Sequence, residues 1–180
     1  MNAYPAVSEL ATMTAQDVFD HVARHLLTQL ERCDEGMGRG SPCLYRGPRG
    51  LACAVGALIP QACYVPEMEN RDVSGLQKWC MAVPFEPYWR LACFLDQHLP
   101  LLYALQKLHD SMSPTDWPRE LWNLACHRGL STDVVDDMMG ARYARADSSV
   151  ASEAAFRTWL DAIVHTHAPR IETKHEHVFV

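Results

Sequence analysis

The sequence predicts a mainly α fold on three observations. Apolar residues recur at helical spacing in several separate segments. Recognisable start and stop residues flank those segments. Only one short stretch, near residues 43–54, reads as a β-hairpin. The expectation is one bundle of about six helices over residues 14–170. A flexible lead-in (1–13) would precede it, and a His-containing tail or edge strand (171–180) would follow.

The elements follow in order. Thr14 stands three residues before Asp17, a capping-box spacing, and Val18, Phe19, Val22, Leu26, Leu27 and Leu30 then share one face, which predicts a helix over 15–33. The Gly-rich segment Asp34–Pro42 ends it. Cys43–Arg46 reads as a short strand, and Gly47-Pro48-Arg49-Gly50 as a turn with Pro where a type I turn favours it. Leu51–Ile59 is an apolar run that fits either a return strand or the start of a buried helix. Residues 60–87, with four prolines and a polar stretch at Glu67–Ser74, read as a long ordered loop with one helical turn near 74–80. Tyr88–His98 is predicted helical, and Pro100 either kinks that helix or opens the next, whose buried stripe is Leu101, Leu102, Leu105 and Leu108. Ser113 and Pro114 signal a helix start, and Gly129 a stop. A shorter helix is expected over Ser131–Met139, and another from Ser149 to before Pro169.

Composition narrows the function classes. The 180 residues are 48% hydrophobic and 21% charged, too apolar for general disorder. A net charge of −6 argues against non-specific nucleic-acid binding, which needs excess Lys and Arg. Charge is uneven, however: residues 43–60 carry Arg46 and Arg49 and no acid, whereas residues 1–42 carry six acids against three arginines. No apolar run is long enough to span a membrane, and the N-terminus lacks the basic and apolar regions of a secretory signal. Seven cysteines, an odd number, then read as reduced thiols in a cytoplasmic protein.

The segment Cys43–Pro60, CLYRGPRGLACAVGALIP, concentrates the candidate chemistry. On a tight hairpin Tyr45, Arg46 and Arg49 would project an aromatic ring and two guanidiniums. Guanidinium donors form a planar fork suited to carboxylate or phosphate. Glu67 and Glu69 of the following loop would complete that surface, or Arg46 would pin the loop by pairing with one of its acids. Cys53, if it opened a helix, would have its thiol near the positive end of the helix dipole, with His109 or His177 as base. The competing reading is that Cys53 is a small buried apolar residue. His109 and Asp110 are adjacent on a helix, about 100° apart, so they do not pair by position alone; His109 would instead favour the helix C-terminus as a cation. His165, His167, His175 and His177 form two His-x-His pairs that could hold a metal, and His21 and His25 share a helix face, yet no CxxC or HExxH spacing accompanies them. No Walker A, GxGxxG or GxSxG pattern occurs.

The pattern C-x-Y-R-G-x-x-G-x-x-C-A-V-G-x-L-I-P, with Tyr64, Pro66-Glu67-Met68-Glu69, Leu105-Gln106 and His109-Asp110, resembles a family of small uncharacterised proteins of proteobacteria and their phages. The resemblance covers about a quarter of the chain and implies an accessory, phage-related role without assigned catalytic residues. The leading expectation is therefore a small cytoplasmic binding protein without a cofactor, a phage- or prophage-type inhibitor of a host system. It would recognise a host or phage protein, or a small anionic ligand, through Tyr45–Arg49 and the 60–87 loop. The alternatives are a cysteine-dependent hydrolase or transferase using Cys53, and a metal-binding protein using the C-terminal histidines.

Overall fold

The computed structural model describes residues 4–34 and 43–146. The chain divides into two compact units, Met1–Met139 and Gly140–Val180. Of the second, only the last turns of α5 are among the described residues. The architecture is mainly helical. Among the described residues there are five α-helices: α1 (Ala15–Gln29), α2 (Val73–Ala82), α3 (Glu86–Ser111), α4 (Trp117–Arg128) and α5 (Asp133–Ala146). The helix expected from Ser149, the tail 171–180, and His165, His167, His175 and His177 lie outside the described residues.

α1 begins as its sequence requires. The Thr14 hydroxyl accepts from the Asp17 amide, and the Asp17 carboxylate accepts from the Thr14 amide at 2.8 Å. The helix stops four residues before the expected end, because Leu30 turns into the left-handed region at φ 49°. Its buried face (Val18, Phe19, Val22, Ala23, Leu26, Leu27) packs against α3, α4 and the turn at Gly56–Leu58. α2 is longer than the single turn expected. Asp72 caps it by accepting from the Gly75 amide at 2.6 Å, and Val73, Leu76 and Cys80 are its buried residues. It packs chiefly on α3.

The two helices expected on either side of Pro100 are one continuous helix. Pro100 lacks the amide that would bond the Asp96 carbonyl, and an interior proline costs about 3 kcal/mol. Both residues face solvent, where water can serve the freed carbonyl. Leu91, Leu95, Leu102 and Leu105 on the opposite side are buried and hold both halves to the same core. α4 starts at Trp117, after a turn closed by the Asp116 amide on the Ser113 carbonyl, so the Ser113-Pro114 signal marks that turn and not the helix itself. Gly129, at φ 66°, ends α4 as expected.

No β-hairpin forms among the described residues. The segment after Cys43 doubles back through a 3₁₀ turn at Pro48–Gly50, but only the isolated bridge Arg46↔Ala52 joins its two arms. The physical reason lies in the return arm. Ala52–Pro60 is buried throughout, and Gly56 presses on Tyr45 so closely that a β-carbon there would overlap the Tyr45 carbonyl. No partner strand fits beside it. Side chains from distant elements serve its backbone instead. Gln29 donates to the Ala52 carbonyl and accepts from the Ala52 amide, both at 3.0 Å. His25 Nε2 also donates to that carbonyl at 2.9 Å, and His21 Nε2 to the Ala57 carbonyl at 3.1 Å. Gln106 accepts from the Val55 amide at 3.2 Å, and Arg46 donates to the Ile59 carbonyl at 2.7 Å. A buried irregular segment is tolerated when its amides and carbonyls are paired in this way.

Candidate functional site

The polar cluster that this packing creates centres on Cys43, not on Cys53. Cys43 is half-buried and lines a cavity of about 400 Å³ together with Tyr45, Cys53, Arg71, Tyr103, Gln106, Lys107 and Asp110. α3 supplies one wall. Gln106, His109 and Asp110 stand at i, i+3 and i+4 near its C-terminus, the spacing at which helix side chains meet.

Two donors converge on Cys43 Sγ. The Gln106 amide nitrogen lies 3.1 Å from it, and His109 Nδ1 lies 3.6 Å from it. Cys53 lines the same cavity. The orientation of Gln106 is fixed, because its oxygen accepts from Val55; its nitrogen therefore donates to Cys43 and, at 2.9 Å, to Asp110. The tautomer of His109 is fixed in the same manner. The Cys33 amide donates to Nε2 at 3.2 Å, so the ring's proton sits on Nδ1, between Cys43 and the Asp110 carboxylate 2.9 Å away. The ring is buried and stacks on Trp117 at 5.3 Å between centroids. His109 and Asp110 therefore pair, against expectation. The Asp110 carboxylate also accepts from Gln106, and the end of α3 is held by Arg32, whose guanidinium donates to the Asp110 carbonyl.

The electrostatics follow from these contacts. The Cys53 thiol outweighs burial and, with His109, brings the Cys43 thiol down to about 7 against the opposing charge of Asp110. When protonated, Cys43 can donate to the Leu44 carbonyl at 3.7 Å. Cys53 is completely buried, and burial pushes its thiol well up; Cys33 is pushed up to about 12 for the same reason. Burial works against charge on His109 and Asp110, yet their mutual hydrogen bond raises the one and lowers the other. Cys53 thus does not meet the requirement of an accessible thiolate at a helix start. It precedes a turn of irregular backbone, and its sulfur accepts from the Gly56 amide at 3.3 Å.

The other expected site residues are placed as follows. Tyr45 is buried, and its hydroxyl donates to the Arg71 carbonyl at 2.8 Å. Arg46 lies between the rings of Tyr4 and Tyr64, 3.9 and 4.5 Å from their centroids, and donates to Gln61 and Ile59. Glu69 accepts from the Tyr45 amide at 2.8 Å, the Arg46 amide at 3.1 Å and the Tyr64 hydroxyl at 2.8 Å. Arg49 is exposed and paired with Glu31. Glu67 is exposed. Tyr45 and Arg46 therefore point inward; they do not project from a platform, because the adjoining loop needs their ring and guanidinium to close against it. His21 and His25 are occupied by the carbonyls of Ala57 and Ala52, and burial lowers the pKa of each.

Cys43 Sγ, His109 Nδ1 and an Asp110 oxygen lie within 4.8 Å of one another, close enough to bracket a cation. The Cys33 amide opposes that use. A metal on Nδ1 would require the proton on Nε2, where that amide already points. Among the described residues no helix is long and apolar enough to cross a membrane, and all seven cysteines are free. Comparison with protein-family models, with curated proteins and with solved structures gives no match.

Proposed function

We propose that the chain is a cysteine-dependent hydrolase or transferase whose nucleophile is Cys43. The observation that carries this reading is the convergence of two donors on one sulfur at the wall of a cavity. Thiolates, not thiols, attack carbonyl carbons, and a hydrogen-bonded thiolate held in place needs no general base at neutral pH. Gln106 and His109 Nδ1 hold the sulfur, and Asp110 orients both of them. In the reaction the Sγ–C bond forms as the bond from that carbon to its leaving group breaks. The leaving group takes a proton from solvent, and water or a second acceptor then releases the acyl group.

The cavity suggests the substrate class. Arg71 and Lys107 are exposed on its lining, which also carries Asp72 and Asp110, and the Lys107 ammonium has no hydrogen-bond partner among the described residues. An acyl group carrying a carboxylate or phosphate suits Lys107. Incubation with an anionic activated ester, the p-nitrophenyl monoester of glutarate, tests the reading. The expected result is a burst of p-nitrophenol and an acyl adduct mapped to Cys43, both lost in Cys43→Ser and weakened in Lys107→Ala.

The competing proposal is a cytoplasmic binding protein of phage or prophage type, which takes an anionic ligand or protein segment into the same cavity without reaction. The Lys107 ammonium, without a hydrogen-bond partner among the described residues, favours it. Saturable protection of Cys43 from iodoacetamide by glutarate, with no acyl adduct from the ester, would select it over catalysis.

A further inference from the structure

Cys53 forms no bond to the substrate in the proposed acyl transfer, yet it lines the same cavity as the nucleophile. We propose that Cys53 is a resolving thiol, which closes a disulfide onto Cys43 when a hydroperoxide has oxidised Cys43. The inference rests on the reading of Cys43 as the reactive, cavity-facing thiolate.

The geometry supplies each requirement of the two steps. Peroxide reaches Cys43 through the cavity, since Cys43 is half-buried and Cys53 is not accessible at all. The Cys43 thiolate attacks one peroxide oxygen, the O–O bond breaks, and Cys43 becomes a sulfenic acid as the alkoxide or hydroxide leaves. The Cys53 sulfur then attacks the Cys43 sulfur. The S–O bond breaks, the Cys53 proton goes to the departing oxygen, and water leaves. Sulfur is oxidised by two electrons overall, and the peroxide is reduced. As the Cys53 proton departs, the Gly56 amide, 3.3 Å from Cys53 Sγ, stabilises the sulfur that bears the charge.

Cys33 is the other buried thiol near the cluster, and it is turned elsewhere. Its sulfur packs on Gly47 so tightly that a β-carbon there would sit 2.8 Å from it, and it does not line the cavity. The register of the two arms favours Cys53 as well. The Arg46↔Ala52 bridge and the Cys53 amide on the Tyr45 carbonyl at 3.4 Å fix the Cys53 backbone beside the strip that carries Cys43. Closure would occupy the nucleophile and switch off the proposed acyl chemistry until a thiol reductant reopened it.

Treating the full chain with hydrogen peroxide in the presence of dimedone, followed by intact mass and non-reducing peptide mapping, tests this. The expected wild-type product has lost two hydrogens and contains a Cys43–Cys53 cross-linked peptide, with no more than trace dimedone on Cys43. In Cys53→Ser, which keeps a donor beside Cys43, the dimedone adduct on Cys43 becomes the major species; Cys53→Ala, which removes that donor, gives the same adduct when treated at alkaline pH. Cys33→Ser leaves the disulfide intact. Dimedone on Cys43 in the wild type at the level of the Cys53 variants overturns the resolving role and leaves Cys43 as a reactive thiolate. No oxidation of Cys43, with iodoacetamide labelling that needs alkaline pH, would show that the reading beneath it is wrong. A Cys33–Cys43 cross-link would also overturn the inference.

Discussion

Two polar clusters flank the same turn, and they are built to opposite ends. Around Arg46 every group points inward. Its guanidinium is stacked between Tyr4 and Tyr64 and bonded to Gln61 and Ile59, and Glu69 takes up two backbone amides and the Tyr64 hydroxyl. Around Cys43 the donors point at one sulfur that opens on a cavity. The first arrangement fastens a loop. In the proposed reading the second stabilises a charge that a substrate can reach. Arg46, which looks like part of the working surface in sequence, is framework, whereas Arg49 is exposed and paired with Glu31, and the proposed nucleophile is the segment's first cysteine.

That contrast can be broken at several points. Gly56→Ala should have the largest effect, because its β-carbon would overlap the Tyr45 carbonyl and neither backbone can withdraw without unseating Ala52–Pro60. A loss of about 4 kcal/mol or more in denaturant unfolding is expected. Glu69→Ala should follow, at about 2–4 kcal/mol, since it strands two backbone amides. Arg46→Ala should lower the unfolding midpoint, with a loss of about 1–2 kcal/mol from its hydrogen bonds and ring contacts. An unchanged midpoint in Arg46→Ala would return that residue to the role of a surface ligand.

On the other side of the turn, Gln106→Glu keeps the acceptor for Val55 but replaces the donor facing Cys43 with a carboxylate. The new carboxylate also faces the Asp110 oxygen that Gln106 bonded, so stability should fall by about 1 kcal/mol, while the pH at which Cys43 reacts should rise by about one to two pH units. The stability difference between wild type and Cys43→Ser should also depend on pH. The Cys43 pKa is depressed on folding, from 9.0 to about 7, so its contribution is present above pH 9 and fades as pH falls through about 7. Equal differences at pH 6 and pH 9 would speak against a folded-state thiolate.

Much of the helical framework was legible because helices advertise themselves locally. The Thr14–Asp17 box, the apolar stripe of α1 and the Gly129 stop all act within a few residues. The central run was not legible, since Ala52–Pro60 is buried on every side and so shows no period. Its hydrogen bonds come from Gln29, His21, His25 and Gln106, residues remote in sequence. The site was half visible. His109 and Asp110 attracted notice, but adjacent helical positions do not announce a pair. Their own hydrogen bond joins them, Gln106 one turn back braces Asp110, and the usable signal was Gln, His and Asp at i, i+3 and i+4. Nothing local placed Cys43 against them, because the contact spans 66 positions of sequence.

The central claim is that folding turns the Cys43 thiol into a thiolate near neutrality, and a single titration tests it most directly. Iodoacetamide labelling of the native protein across pH, resolved by peptide mapping, should show Cys43 reacting with a midpoint at about 7 while Cys53 stays unlabelled. A Cys43 midpoint at or above about 8.5, the value of an unperturbed thiol, would contradict the account.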